Sequence, residues 1–338
     1  IYITPYLNEA QITSATLSYA VGVGSAVIST PYWHAEELLA EGRGRLFNFN
    51  DSVGLTAILT ELFDNPDQLS IIKRKAKEYG RKISWPKTGE KYNAIARQVV
   101  KNGVSALENK DTIFDLLILP PFSLAHINRL TDDTGIIQHA KFGIPNLKEG
   151  YCLDDNSRAL LMVLMAYRRM KDARALEIMP VYLSYIHYMQ NKDGSFRNFL
   201  SFNRNYLDEI GSEDSFGRTI WALGYLLGNA PNDAYYQTGK EVFFKAAPNF
   251  EKLKSIRGIA NTMIGICYYL KTNLTDDAMM ERLRNLAHEL IKHYEENESE
   301  VWKWFESLLA YDNGILPLAL LHSAEILNEE KILEVALK

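Results

Sequence analysis

The sequence changes its hydrophobic grammar once, near residue 100, and that change limits what the chain can fold into. Before it, short apolar runs alternate with glycine-marked turns and amphipathic segments. Ile1 to Thr4, Ala26 to Ser29 and Arg45 to Phe47 read as strands; Thr13 to Val21, Glu36 to Glu41, Val53 to Phe63 and Pro66 to Tyr79 read as helices. This is the pattern of an α/β layer with parallel strands, because a parallel neighbour needs a crossover long enough to hold a helix. After Lys101 the alternation stops. Apolar residues then recur at helical spacing over Ser123 to Leu130, Asn156 to Met170, Ala173 to Gln190, Asp214 to Leu227 and Asp233 to Ala246, and again over Ile256 to Leu270, Asp276 to Tyr294, Gly314 to Leu327 and Glu329 onward.

The helix beginnings at Asp155, Asp214, Gly258 and Asn313 stand 59, 44 and 55 residues apart, and each interval holds an apolar helix followed by a more charged one. Such hairpins cannot bury their apolar faces alone, so they are expected to stack side by side. The expected domains are residues 1–97 and 105–338, with room for only four or five hairpins in the second. Ile1-Tyr2-Ile3 already reads as a buried strand and the last segment ends without a cap, so the chain is expected to be a piece of a longer protein.

Composition removes several classes of function. At 47% hydrophobic and 23% charged residues, the chain has the make-up of a folded globular protein. A net charge of -5 offers no broad basic surface to nucleic acid or to anionic lipid. The basic run Lys73, Arg74, Lys75, Lys77, Arg81 and Lys82 reads as a solvated helix face. Two cysteines, Cys152 and Cys267, are too few for a disulfide framework and fit a reducing, cytoplasmic compartment, where the sequons at Asn273 and Asn297 mean little. No apolar run approaches ~18 residues, so no membrane span is expected. His288 and His293 lie off a common helix face, and the remaining histidines are scattered, so no metal site is expected. Walker loop, dinucleotide glycine fingerprint and Gly-x-Ser-x-Gly elbow are all absent, and no cofactor is expected to be required.

The stretch Pro5-Tyr6-Leu7-Asn8-Glu9-Ala10-Gln11-Ile12-Thr13-Ser14 is followed by Gly24-Ser25-Ala26-Val27-Ile28-Ser29-Thr30-Pro31, Glu36-Glu37, Gly42-Arg43-Gly44, a helix start at Asp51, and Trp85. Together these resemble the C-terminal, Rossmann-like half of a family 4 glycosyltransferase of the GT-B type, over residues 1 to 90. The resemblance implies a nucleotide-sugar donor in the intact protein, with its diphosphate at the N-terminus of the helix after the first strand. Unpaired N–H groups and the helix dipole favour anions there. Gln11, Thr13, Ser14 and Thr16 are the implied contacts, with Glu36 at the next loop, where it equally suits a dipole match in a first turn. The family's pair of glutamates falls on Gln11 and Tyr19, and a tyrosine cannot accept two hydroxyl hydrogen bonds as a carboxylate does. Either the donor is held differently or this half has become a scaffold. Trp33 and His34 are expected in a strand-to-helix loop facing the interdomain cleft, placed for sugar stacking or for packing. The N-terminal half of the GT-B fold, which would supply the acceptor site, is expected to be missing, so this fragment is not expected to transfer sugar alone.

In the helical part, Tyr151-Cys152-Leu153-Asp154-Asp155-Asn156-Ser157-Arg158, Gly211-Ser212-Glu213-Asp214-Ser215-Phe216-Gly217-Arg218-Thr219-Ile220-Trp221, Trp304-Phe305-Glu306 and Tyr311-Asp312-Asn313-Gly314 put acids at or before helix starts, with an arginine or aromatic nearby. Any one such acid is more ordinarily a helix cap, but recurrence at corresponding starts is not required by capping. These strings resemble the helical region C-terminal to some bacterial family 4 transferase domains, and the hairpin pattern is similar to six-hairpin, (α/α)6 glycosidase-like domains. The resemblance implies an α/β Rossmann-like partial domain followed by an all-α helical-hairpin toroid, incomplete here, with further C-terminal helices missing. It also implies an oligosaccharide or glycosyl substrate.

Asp155, Asp214, Asp312 and Glu306 are the candidate catalytic carboxylates. Arg158, Glu213, Arg218, Trp221, Trp304, Tyr311, Asn313 and Arg197 are candidate substrate contacts, the last on the turn Asp193 to Phe199. A hydrolase would need two carboxylates ~6.5–9.5 Å apart to invert, or ~5–5.5 Å to retain. The functions left open are glycosyl transfer in the intact protein with a sugar-binding helical domain, glycoside hydrolysis in that domain, or glycan recognition without turnover.

Overall fold

The computed structural model describes residues 1–7, 9, 13–102 and 122–338. Most of these are helical, and the chain forms two compact units, Ile1–Pro120 and Pro121–Lys338.

In the first unit, β1 (Tyr2–Thr4), β2 (Val27–Ser29) and β3 (Gly44–Leu46) form a parallel sheet in sequence order, with Ile28 between Ile3 and Arg45. Helices α1 (Ala15–Gly22) and α2 (Trp33–Leu39) make the two crossovers. The central strand is buried along its whole length, as a strand covered on both faces must be. Alternate side chains around it enter different cores: Val27 packs with Leu17, Val21 and Leu39, whereas Ala26 and Ile28 pack with Phe47, Leu62 and Ile72. Leu62 comes from α3 (Ser52–Asp64), and α4 (Pro66–Lys82) serves both cores through Ile72 and Ala76. The face of α4 that carries Lys73, Arg74 and Lys77 is exposed, as its charge requires.

Two features of this unit differ from the sequence expectation. α2 begins at Trp33 rather than Glu36, because the extended Tyr32 directs its carbonyl at the N–H groups of both Ala35 and Glu36; Trp33 and His34 therefore lie in a first helical turn and not in a loop. α5 (Trp85–Asn102) was not anticipated, since Pro86 and Gly89 interrupt its pattern. Pro86 stands in the first turn, where a missing N–H costs nothing. Gly89 is exposed, with nothing within 4 Å of where a Cβ would sit. Gly89→Ala is therefore expected to raise the stability of this unit by about 0.5–1 kcal/mol, measured as the shift in a urea midpoint.

In the second unit, α6 (Ala125–Leu130) is followed by four hairpins: α7 (Leu153–Met170) with α8 (Ala173–Met189), α9 (Glu213–Asn229) with α10 (Asp233–Ala246), α11 (Ile256–Leu270) with α12 (Asp277–Asn297), and α13 (Ile315–Leu327) with α14 (Glu330–Leu337). The first members pack in order, α7 on α9, α9 on α11 and α11 on α13, and each second member returns beside its partner. Two short antiparallel pairs, β4 (Ala140–Lys141) with β5 (Ile144–Pro145) and β6 (Tyr151–Cys152) with β7 (Phe199–Leu200), accompany them. The second of these ties the start of α7 to the segment leading into α9.

α11 is buried from Ile256 to Cys267, including Arg257, Asn261 and Thr262. It reaches α9 across a seam of glycines, Gly217 and Gly224 on one helix against Gly258 and Gly265 on the other. The spacing is the same in both pairs, two turns, so each pair stays on one face. Without Cβ atoms the backbones approach closely, and this brings the two helix beginnings level.

Candidate functional site

The site is assembled from the beginnings of α7, α9 and α11 and the loop before α13. Each beginning is capped locally, by Cys152, Ser212 and Ser255 and not by the neighbouring acids. The Cys152 thiol accepts from the Asp155 N–H, Ser212 Oγ from the Ser215 N–H at 3.2 Å, and Ser255 Oγ from the Gly258 N–H at 3.3 Å. The beginnings are also tied to one another. Ser157 and Thr219 hydroxyls meet at 2.8 Å between α7 and α9. Glu213 accepts the backbone N–H groups of Lys254 and Ser255, and Asp214 accepts the Ser255 hydroxyl at 2.7 Å, between α9 and α11. Arg257 reaches Asn313 Oδ1 at 3.3 Å, between α11 and the loop before α13. Asp312 in that loop adopts φ 48°, which turns the chain into α13.

At this end lies a cavity of about 420 Å³ lined by Ser157, Arg158, Leu161, Arg218, Trp221 and Asp312. Its charges form one chain. Asp154 Oδ2 accepts from Arg158 Nη2 at 2.6 Å and from Arg218 Nη1 at 3.0 Å, and Arg218 Nη2 reaches Asp312 Oδ2 at 3.3 Å. Burial raises the pKa of Asp154 despite the opposing pull of Arg218 and Arg158. Burial also works against the charge of Arg218, but Asp154 and Asp312 more than offset it and hold its pKa above the ordinary value. Two buried polar atoms here have no hydrogen-bond partner among the described residues, Asp154 Oδ1 and Trp221 Nε1. Both atoms are sealed from solvent, and Asp154 is not among the residues that line the cavity, so neither is open to a ligand there.

The sequence-predicted acids divide between different tasks. Arg158, Arg218, Trp221 and Asp312 line the cavity. Asp155 does not: it accepts a bond from the Cys152 thiol at 3.0 Å and lies 3.8 Å from Arg158. Its neighbour Asp154 takes the place at the centre of the charge chain. One residue separates them, but one residue is about 100° of helix, enough to exchange inward for sideways. Asp214 is held by Ser255 and by the Tyr311 hydroxyl. Glu306 forms a forked pair with Arg257, at 3.1 and 2.8 Å. That guanidinium also bonds the Tyr311 carbonyl and stands 4.5 Å over the Tyr311 ring, so Glu213, Asp214, Glu306, Tyr311 and Asn313 form an adjoining network around Arg257. Lys254, Ser255, Arg257, His293 and Glu306 line a second cavity of about 360 Å³ there. Trp304 packs edge-on to Phe305, and its Nε1 also lacks a partner among the described residues. Arg197 is used within its own loop, bonding Asn191 Oδ1 and the Asp208 carbonyl and stacking on Tyr206.

Asp154 and Arg257 are charged members of the arrangement that the sequence does not single out, and Ser157 and Leu161 line the first cavity as well. A signal existed for Arg257. An arginine follows each of the first three helix starts, at 158, 218 and 257, but only the third lies in a stretch without an acid of its own.

In the first unit, Ser14 caps α1 by accepting the Leu17 N–H at 3.3 Å, and its hydroxyl lies 3.2 Å from that of Thr16. The Ser14 N–H donates to His34 Nδ1 at 2.9 Å. Hydrogen bonds from Thr16 and Ser14 hold the Tyr6 hydroxyl below its ordinary pKa. Thr13 precedes this cap, Trp33 donates its backbone N–H to the Glu9 carbonyl, and Glu36 is exposed in the first turn of α2. Gln11 lies outside the described residues.

Among the described residues, no group of three or more His, Cys, Asp or Glu could hold a metal ion, and no helix is long and apolar enough to cross a membrane. Compared with protein-family models and with curated proteins, the chain matches none.

Proposed function

We propose that the protein is carbohydrate-active and that the cavity lined by Arg158, Arg218, Trp221 and Asp312 binds a glycosyl unit. The observation that carries this reading is the meeting of the α7 and α9 beginnings with the loop before α13, distant in sequence, at one cavity that offers Trp221 and charged hydrogen-bonding groups of both signs. Caps busy only with their own helices would produce none of these. Four hairpins whose first members pack in order support the further reading as part of an (α/α)6-like toroid, and the three-stranded parallel sheet with its α1 crossover supports a Rossmann-like half of a GT-B glycosyltransferase. In that reading the intact protein, in the cytoplasm, transfers a sugar from a nucleotide donor, and Ser14 and Thr16 at the start of α1 face the diphosphate.

A hydrolytic reading has one observation in its favour. Asp154, its pKa raised by burial, and Asp312 are bridged by a single guanidinium, an arrangement in which one carboxyl could serve as acid and the other as base. One experiment separates these versions. Glycans are titrated against the chain with tryptophan fluorescence as readout and released reducing ends assayed in parallel. The expected result is saturable binding, weakened at least about tenfold by Trp221→Phe or Asp312→Asn. Reducing ends lost on Asp154→Asn would select hydrolysis. Absence of glycan binding, or binding indifferent to both substitutions, would remove the glycosyl pocket.

A further inference from the structure

The glycosyl cavity does not end at its polar wall. Arg158 and Leu161 also line a second cavity of about 350 Å³ that continues along α7, where the remaining walls are apolar: Phe122, Met162, Met165, Ala166 and Met170, with Arg169 at the far rim. This flank borders the core face of α7: Leu161 and Met162 pack partly against the interior that holds Leu160, Val163 and Leu164, whereas Met165 and Met170 are not part of it. Met165 and Met170 are 39% and 42% exposed and Phe122 48%, so a continuous apolar surface begins where the sugar pocket stops.

We propose that the ligand of the helical unit is an amphiphilic glycoside, with its sugar in the Trp221 pocket and an alkyl or acyl aglycone lying along the α7 groove. The proposal rests on the glycosyl reading of the pocket and extends it to the group attached to the sugar. Continuity argues for this occupant. Two residues, Arg158 and Leu161, wall both cavities, so the methionines adjoin the sugar pocket. A purely polar oligosaccharide would leave that surface in water. Methionine side chains are unbranched and polarisable and adapt to a flexible chain, as a groove for one requires. The stems of Arg158 and Arg169 can lie along the same apolar strip with their heads in water.

The test uses methyl and octyl glycosides of glucose, mannose and galactose in both anomeric forms, titrated below the micellar concentration against the whole chain. For the sugar that binds, the octyl glycoside is expected to bind about tenfold or more tighter than the methyl glycoside. Met165→Glu, at an exposed position, is expected to remove that gain and leave the methyl glycoside unaffected. Equal affinities for octyl and methyl forms would overturn the proposal while leaving the sugar pocket standing. A gain that survives Met165→Glu, or one matched by an octyl chain on a head group without sugar, would overturn it as well. If no glycoside binds, the glycosyl reading itself fails and this extension falls with it.

Discussion

Replacing Gly224 with valine is expected to cost the helical unit roughly 3 kcal/mol or more and to lower its urea midpoint without a large change in slope. A Cβ at Gly224 would stand 2.6 Å from the Cα of Gly265, and one at Gly217 would stand 2.5 Å from the Gly258 carbonyl oxygen. These obstacles are backbone, not the ends of flexible side chains, so relief requires α9 and α11 to separate. α11 is buried on all sides, and moving it would open gaps against α13 as well as α9, in an interior whose packing tolerates few. The loss should reach the site too, because the glycine seam sets how closely the beginnings of α9 and α11 approach. A midpoint close to that of the parent would show that the two helices are free to move apart.

Arg218→Met is expected to abolish ligand binding and to lower stability by about 2–3 kcal/mol near neutral pH. The Arg218 side chain is 15% exposed and that of Asp154 20%, so the substitution strands a mostly buried carboxylate with only the exposed Arg158 as partner. The pH dependence identifies the cause. A carboxyl whose folded pKa is raised binds its proton more tightly in the folded state. Stability therefore falls as pH rises from the unfolded value through the folded one, and returns on acidification. Asp154 is already raised by burial. Removing the guanidinium raises it further, so the deficit of the variant should shrink as pH is lowered from neutral toward the ordinary carboxylate range. Adding Asp154→Asn to Arg218→Met should recover most of the stability without restoring binding. Equilibrium unfolding of the single and double variants across that range is the measurement. A deficit that does not change with pH would mean that Arg218 acts through packing and not through Asp154.

Helix positions were legible because burial of an apolar stripe leaves a period that no other structure explains. The spans expected for α10 and α11 match those observed, and those for α8 and α13 differ by a single residue at one end. Two features were not legible. α5 carries a stripe, with Trp85, Tyr92, Ile95 and Val99 at helical spacing, but Pro86 and Gly89 break into it, and the start of α2 depends on how Tyr32 is buried. The serines at the site were legible for a local reason, since Ser212 and Ser255 cap exposed N–H groups of α9 and α11. The roles of the acids were not, since they cap none of these helices and bond partners on other ones, as Asp214 does with Ser255 and Asp154 with Arg218.

What the sequence by itself determined was therefore periodic: a parallel α/β layer, then stacked hairpins of similar length, with acid, arginine and aromatic at corresponding starts. The tertiary structure alone decided which acid turns inward. Asp154 rather than Asp155 joins Arg158 and Arg218, and Arg257 gathers Glu306, Tyr311 and Asn313 into a neighbouring network. The physical reason is that neighbouring residues on a helix point about 100° apart, and which of them meets another helix depends on the approach of α9 to α11 across glycines whose partners lie about forty residues away.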